Sequence, residues 1–92
     1  MVYKLVYTKI AEKDLARIDK SQAVKILRKV NEYMAMKNPL VKAKKLKGFE
    51  LLTYRFRVGD FRVIFRLDKD TGNLVVLVVL KIAHRKEVYK KA

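Results

Sequence analysis

Residues 53–67, TYRFRVGDFRVIFRL, decide the fold. On either side of Gly59-Asp60 apolar residues recur at every second position: Tyr54, Phe56 and Val58 before it, Phe61, Val63 and Phe65 after it. That is the period of a β-strand, not of a helix. A two-residue loop with glycine first suits a type II′ hairpin turn, and a loop of that length dictates the pairing register. Val58 then faces Phe61, Phe56 faces Val63 and Tyr54 faces Phe65, which makes one face an aromatic and aliphatic core. The opposite face sets Arg57 across from Arg62, Arg55 across from Ile64 and Thr53 across from Arg66.

Arg55, Arg57, Arg62 and Arg66 therefore share one side. Like charges directly opposite one another destabilise a sheet, and the nearest acids, Asp60 and Asp68, stand only at the ends of this face. A solvated basic surface would explain any single arginine. Grouped together they point to a phosphate site, because the guanidinium fork matches phosphate oxygens in pairs and keeps its charge at physiological pH.

Working outward, the spacing predicts strands over Leu51 to Val58 and Phe61 to Leu67, a turn over Asp68 to Asn73, and a strand over Leu74 to Ile82. The last is almost continuously apolar, as expected of a strand at the centre of a sheet. Val2 to Tyr7 is a first strand. Thr8 can cap a helix with Ala11, Leu15 and Ile18 on one face, and Ser21 a second helix with Ala23, Ile26, Leu27, Val30, Tyr33 and Met34 inward, stopped by Asn38-Pro39. Tyr3, Tyr7 and Tyr33 read as core or edge aromatics. The Lys-rich stretch Leu40 to Gly48 is a surface connection. The predicted fold is α+β in the order β-α-α-β-β-β: an N-terminal strand, a two-helix hairpin on one face, then an antiparallel three-stranded meander and a short basic C-terminal tail.

Length and composition bound the function. Residues 1–92 make a single domain at this size, and 51% hydrophobic residues are enough to fold it. A net charge of +14 is tolerated mainly where an anionic partner offsets it. Nucleic acid fits best, since no stretch is long and apolar enough for a membrane span and no signal-peptide pattern opens the chain. A cytoplasmic location follows. With no cysteine and a single histidine, His84, no metal site or other cofactor is expected.

Three segments, Lys45-Leu46-Lys47-Gly48, Tyr54 through Phe65, and His84-Arg85-Lys86-Glu87-Val88-Tyr89, together resemble the RelE branch of the RelE/ParE toxin superfamily. The resemblance spans nearly the whole chain in the right order. It implies a RelE-like microbial RNase fold, a cognate acidic, RelB-like antitoxin, and the role of toxin in a type II toxin-antitoxin system, cleaving mRNA in the ribosomal A site and inhibiting translation. By position, Arg55 and Arg57 match basic residues of the family's second strand, Arg62 its third-strand arginine, and Arg85 and Tyr89 its tail positions.

Metal-independent RNA cleavage by 2′-hydroxyl attack needs a base, stabilisation of the phosphorane and an acid for the leaving 5′-oxygen. Arg57 and Arg62, with Arg85, suit charge stabilisation. Arg55, Arg66, Lys42, Lys44, Lys45 and Lys47 suit binding of the RNA backbone. Guanidinium is a poor base, so His84 and Tyr89 are the candidates for proton transfer, with Tyr89 also able to stack on a base. Glu87 reads as an ion-pair partner. The alternative on the same fold is a ParE-like toxin that binds and inhibits DNA gyrase and cleaves nothing.

Overall fold

The computed structural model describes residues 2–47, 52–69 and 72–86. Its strands are β1 (Val2–Tyr7), β2 (Ala43–Lys45), β3 (Thr53–Val58), β4 (Phe61–Lys69) and β5 (Leu74–His84). Helices α1 (Lys9–Arg17) and α2 (Lys20–Met34) follow β1, and a short 3-10 turn, Pro39–Lys42, precedes β2. The strands form one five-stranded sheet in the order β1-β5-β4-β3-β2. β1 runs parallel to β5, and the remaining pairs are antiparallel. The fold is α+β as expected, but its sheet is mixed and wider than a three-stranded meander.

The difference lies at the two edges. The Lys-rich connection supplies β2, pairing Ala43 with Phe56, Lys44 with Arg55 and Lys45 with Tyr54. Without it the outer edge of β3 would leave backbone N–H and C=O groups unpaired. A three-residue edge strand carrying lysines has no apolar period to announce it, and edge lysines are a usual guard against pairing with other chains. At the other edge β1 closes on β5 from Val2↔Leu74 to Tyr7↔Val79. β5 thus lies between β1 and β4, which accounts for its unbroken apolar run.

A side-chain cap satisfies one of the first N–H donors of α1, whereas at α2 the cap residue makes no such bond. Thr8 Oγ1 accepts from Ala11 N at 3.2 Å and donates to the Val79 carbonyl at 2.8 Å, so one hydroxyl both caps α1 and ties it to β5. Thr8→Ala should cost about 1–2 kcal/mol in urea unfolding, with Thr8→Ser recovering most of it; equal stability of the alanine variant would show that the cap contributes nothing. Ser21 is not the second cap: Lys20 is already helical, Asp19 occupies the cap position, and Ser21 Oγ donates to Asp19 Oδ2. Ile18 ends α1 in an extended conformation with its N–H on the Leu15 carbonyl, and only Ile18 and Asp19 separate the two helices. α2 ends at Met34, ahead of Asn38, whose Oδ1 instead accepts from Leu40 N at 3.1 Å and caps the 3-10 turn.

Both helices cover the sheet face that bears Phe56, Val63, Phe65, Leu77 and Val79, contributing Ala11, Ile26 and Val30 to the core. The Phe56 ring stands 4.7 Å from Phe65 and 5.1 Å from Tyr33. Tyr3, Tyr7 and Tyr33 pack against this core. Burial pushes the Tyr7 hydroxyl above its ordinary value, and it finds no partner among the described residues. Among those residues no helix is long and apolar enough to cross a membrane.

Candidate nucleic-acid interface

Gly59 takes φ +57°, as the first position of a primed hairpin turn requires. The pairing is the one read from sequence: Val58↔Phe61, Arg57↔Arg62, Phe56↔Val63, Arg55↔Ile64, Tyr54↔Phe65 and Thr53↔Arg66. Cross-strand partners share a face, so the face away from the helices carries two basic rows. One runs Lys44, Arg55, Ile64 and Lys81, whose Nζ stands 3.7 Å from Asp14 Oδ2; the other runs Arg57, Arg62, Ala83.

Arg62 is the unusual member. It is 3% exposed, and its Nη1 donates to the carbonyls of Gly59 (3.3 Å) and Phe61 (3.1 Å). Its Nε is buried with no partner, and no carboxylate pairs with it among the described residues. A guanidinium cannot shed its proton to escape this environment. A buried charge left unpaired costs several kcal/mol, and across the ladder stands a second cation, Arg57, exposed and without an ion pair among the described residues. The arrangement stores positive potential at the hairpin end of the sheet, which an anion would discharge.

The other expected residues divide. Arg55 is half-buried beside Lys44 on the same face, and neither has an ion-pair partner among the described residues. Arg66 shares the face but makes a paired contact with Asp68, Nε to Oδ1 at 3.1 Å and Nη2 to Oδ2 at 3.2 Å, so its charge is already answered. Arg85 lies just past β5 with its N–H on the Asp60 carbonyl (2.7 Å) and its Nε 3.7 Å from Asp60 Oδ1, which holds it at the hairpin turn beside Arg57 and Arg62. Lys45 pairs with Tyr54 and so belongs to the helix-side face, while Lys42 and Lys47 are exposed to either side of β2. Tyr89, Glu87, Gly48 and Leu51 lie outside the described residues.

His84 is not brought to the arginines. It pairs with Phe61 on the helix-side face and meets that ring edge-on, centroids 5.5 Å apart. The cause is a bulge: Phe65 pairs with Val79 but Ile64 with Lys81, so β5 holds one extra residue, Leu80, and every side chain beyond it changes face. Around His84 the structure gathers Asp14, Arg17 and Lys81, none of which the sequence singled out. The one charge in an otherwise apolar run, Lys81, is the trace that sequence leaves of this irregularity.

Residues 5–89 match the family model described as the ParE toxin of the type II toxin-antitoxin system parDE. Among solved structures, the toxin-antitoxin complex RelBE2 from Mycobacterium tuberculosis contains a chain 27% identical, with TM-score 0.70, covering 92% of this chain and 93% of that one. The archaeal RelE-RelB complex from Pyrococcus horikoshii OT3 matches at 25% identity and TM-score 0.63, over 92% and 97% of the two chains. The YoeB/ParE toxin from Agrobacterium tumefaciens shares the fold at 23% identity and TM-score 0.64, over 88% and 97%. No curated protein matches the chain at a significant level.

Proposed function

We propose that this chain, which belongs to the ParE toxin family within the RelE/ParE superfamily of type II toxin-antitoxin toxins, works as a metal-independent endoribonuclease that cleaves mRNA in the ribosomal A site and so halts translation. The observation that carries this reading is Arg62, a buried guanidinium with an orphaned Nε and no carboxylate, set opposite the exposed Arg57. Charge placed in advance where a phosphorane develops is worth far more than charge recruited during the reaction.

In this mechanism the 2′-hydroxyl loses its proton and attacks the adjacent phosphorus. The P–O5′ bond breaks, and the leaving oxygen takes a proton. Arg57 meets the phosphate, and Arg62, opposite it in the ladder and 3% exposed, adds the fixed charge that stabilises the pentavalent state. Arg85, held at the turn by Asp60, supports them. Arg55 and Lys44 position the backbone on the adjacent row, with Lys42 and Lys47 flanking it. Tyr89 is the group of choice for proton transfer, because the register turns the other candidate, His84, away from the arginines. The reaction takes place in the cytoplasm, where the ribosome brings the mRNA.

The partner that restrains this activity is an acidic antitoxin of the RelB type. A chain of net charge +14 with an open arginine face is suited to an acidic segment that wraps it, and the complexes from M. tuberculosis and P. horikoshii supply the precedent.

The ParE description of the matched family favours a second reading, inhibition of DNA gyrase without cleavage. The two separate cleanly in one experiment: translation of a defined mRNA in vitro with 3′ ends mapped by primer extension, beside a gyrase supercoiling assay. Codon-phased cuts, reduced about 10²-fold or more in Arg57→Ala, are the expected result. Intact mRNA with blocked supercoiling would overturn the nuclease reading in favour of the gyrase one.

A further inference from the structure

A second basic site lies at the same end of the sheet, on the other face. Arg17 and Ile18 at the end of α1, Phe61 at the start of β4 and His84 on β5 line a cleft of about 220 Å³, joined by Lys81, which pairs with Ile64 on the arginine face but whose Nζ comes to 3.7 Å from Asp14 Oδ2. Asp14 also borders it. β1 leaves β5 after Tyr7↔Val79, so beyond that point the β5 N–H groups that face away from β4 lack a strand partner. Asp14 Oδ2 replaces one, accepting from Ile82 N at 2.9 Å, and also stands 3.7 Å from Lys81 Nζ.

What that carboxylate does not explain is the surplus of positive charge. It faces two cationic side chains, and Arg17 has no hydrogen bond or ion pair among the described residues. The dipole of α1 favours a cation in its last turn, which accounts for an arginine at this position but not for a cleft with an apolar floor beside it. Ile18 and Phe61 form that floor, with the His84 ring edge-on to Phe61. The Lys86 N–H donates to His84 Nδ1 at 3.2 Å, which sets the proton of the neutral ring on Nε2. An aromatic floor under a cationic rim is the chemistry of a single nucleotide: the base against the ring, the phosphate against the cations. The volume is below that of a pocket for a drug-sized ligand, so the cleft takes one unit of a longer chain.

We propose that this cleft is a subsite for one nucleotide of single-stranded RNA, a neighbour of the nucleotide whose phosphate lies on Arg57 and Arg62. It rests on the nuclease reading above. Phe61↔His84 and Arg62↔Ala83 are successive rungs of the same ladder and project to opposite faces. The RNA strand therefore passes over the end of the sheet at Gly59-Asp60, where Arg85 stands, and is held on both sides of it.

The test is binding of 2′-O-methyl oligoribonucleotides, which cannot be cut, in a series of increasing length, followed by fluorescence anisotropy at several salt concentrations. Four proteins are compared with the wild type: Arg17→Glu, Phe61→Leu, Arg57→Ala, and Lys25→Glu as a control that makes the same charge change at an exposed position of α2 outside both sites. Thermal midpoints confirm that each is folded. The wild type should gain about tenfold in affinity once the oligonucleotide spans both faces. Arg17→Glu and Phe61→Leu should lose that gain while binding the shortest oligonucleotides as before, and Arg17→Glu should show a salt slope shallower by about 0.7 than the control. Arg17→Glu behaving like Lys25→Glu at every length, while Arg57→Ala weakens binding, overturns the subsite alone. Absence of binding by the wild type at every length overturns the subsite, while the nuclease reading is judged by the translation assay, in which the ribosome supplies the mRNA.

Discussion

Arg62→Met makes this protein more stable and, at the same time, inactive on mRNA. The side chain is 3% exposed, carries a charge it cannot lose, and has two backbone carbonyls but no anion to answer it. Replacing buried charge by an apolar side chain of similar volume is often stabilising by about 1–4 kcal/mol. The carbonyls released, Gly59 and Phe61, lie at an exposed turn and at the first residue of β4, where water can take over. For a domain of this size each kcal/mol moves the thermal midpoint by about 4–8 °C. Cleavage should fall about 10²–10³-fold, the usual loss when one preorganised donor to a developing anion is removed. Scanning calorimetry and primer extension on the same preparation read both quantities. Undiminished cleavage would remove Arg62 from the site. A lower midpoint with cleavage lost would mean that its purpose is to hold the hairpin turn, with activity failing only as a consequence.

Phe56→Ala is expected to be the most damaging single truncation behind the arginine face. The residue is fully buried, its ring lies between Tyr33 of α2 and Phe65 of β4, and its neighbours in sequence are Arg55 and Arg57. Truncating a buried phenylalanine costs about 3–5 kcal/mol through lost burial and the cavity left behind, a large share of the roughly 5–15 kcal/mol that holds a typical domain together. Urea unfolding should show the midpoint fall by that measure. Phe56→Leu, nearer in volume, should lose much less and keep the activity. A Phe56→Ala protein as stable as the wild type would mean that the contact between α2 and the sheet is not what fixes β3 in place.

The sequence by itself determined the β3–β4 hairpin down to each pair, and with it the presence of Arg55, Arg57 and Arg62 on one face. Both follow from local facts: an alternation with period two, and a turn too short to allow a second register. The two amphipathic helices and the central place of β5 were legible for the same reason, since a 3.6 period and an unbroken apolar run are each carried within one segment. The edges were not. β2 has three residues and no period, and the parallel pairing of β1 with β5 joins segments about as far apart as this chain allows.

Only the tertiary structure decided which cations are answered and which face His84 occupies. Arg66 and Arg62 look alike in sequence, yet one meets Asp68 in a two-point contact and the other is buried without a carboxylate. Strict alternation from Val79 would have put His84 among the arginines; the extra residue at Leu80 reverses the parity and turns it toward α1. The bulge lies where β1 departs and Asp14 takes over the backbone of β5, a contact between residues 68 positions apart. Period and turn chemistry are written residue by residue, but burial, parity after a bulge and the answering of charge depend on what the folded chain brings alongside.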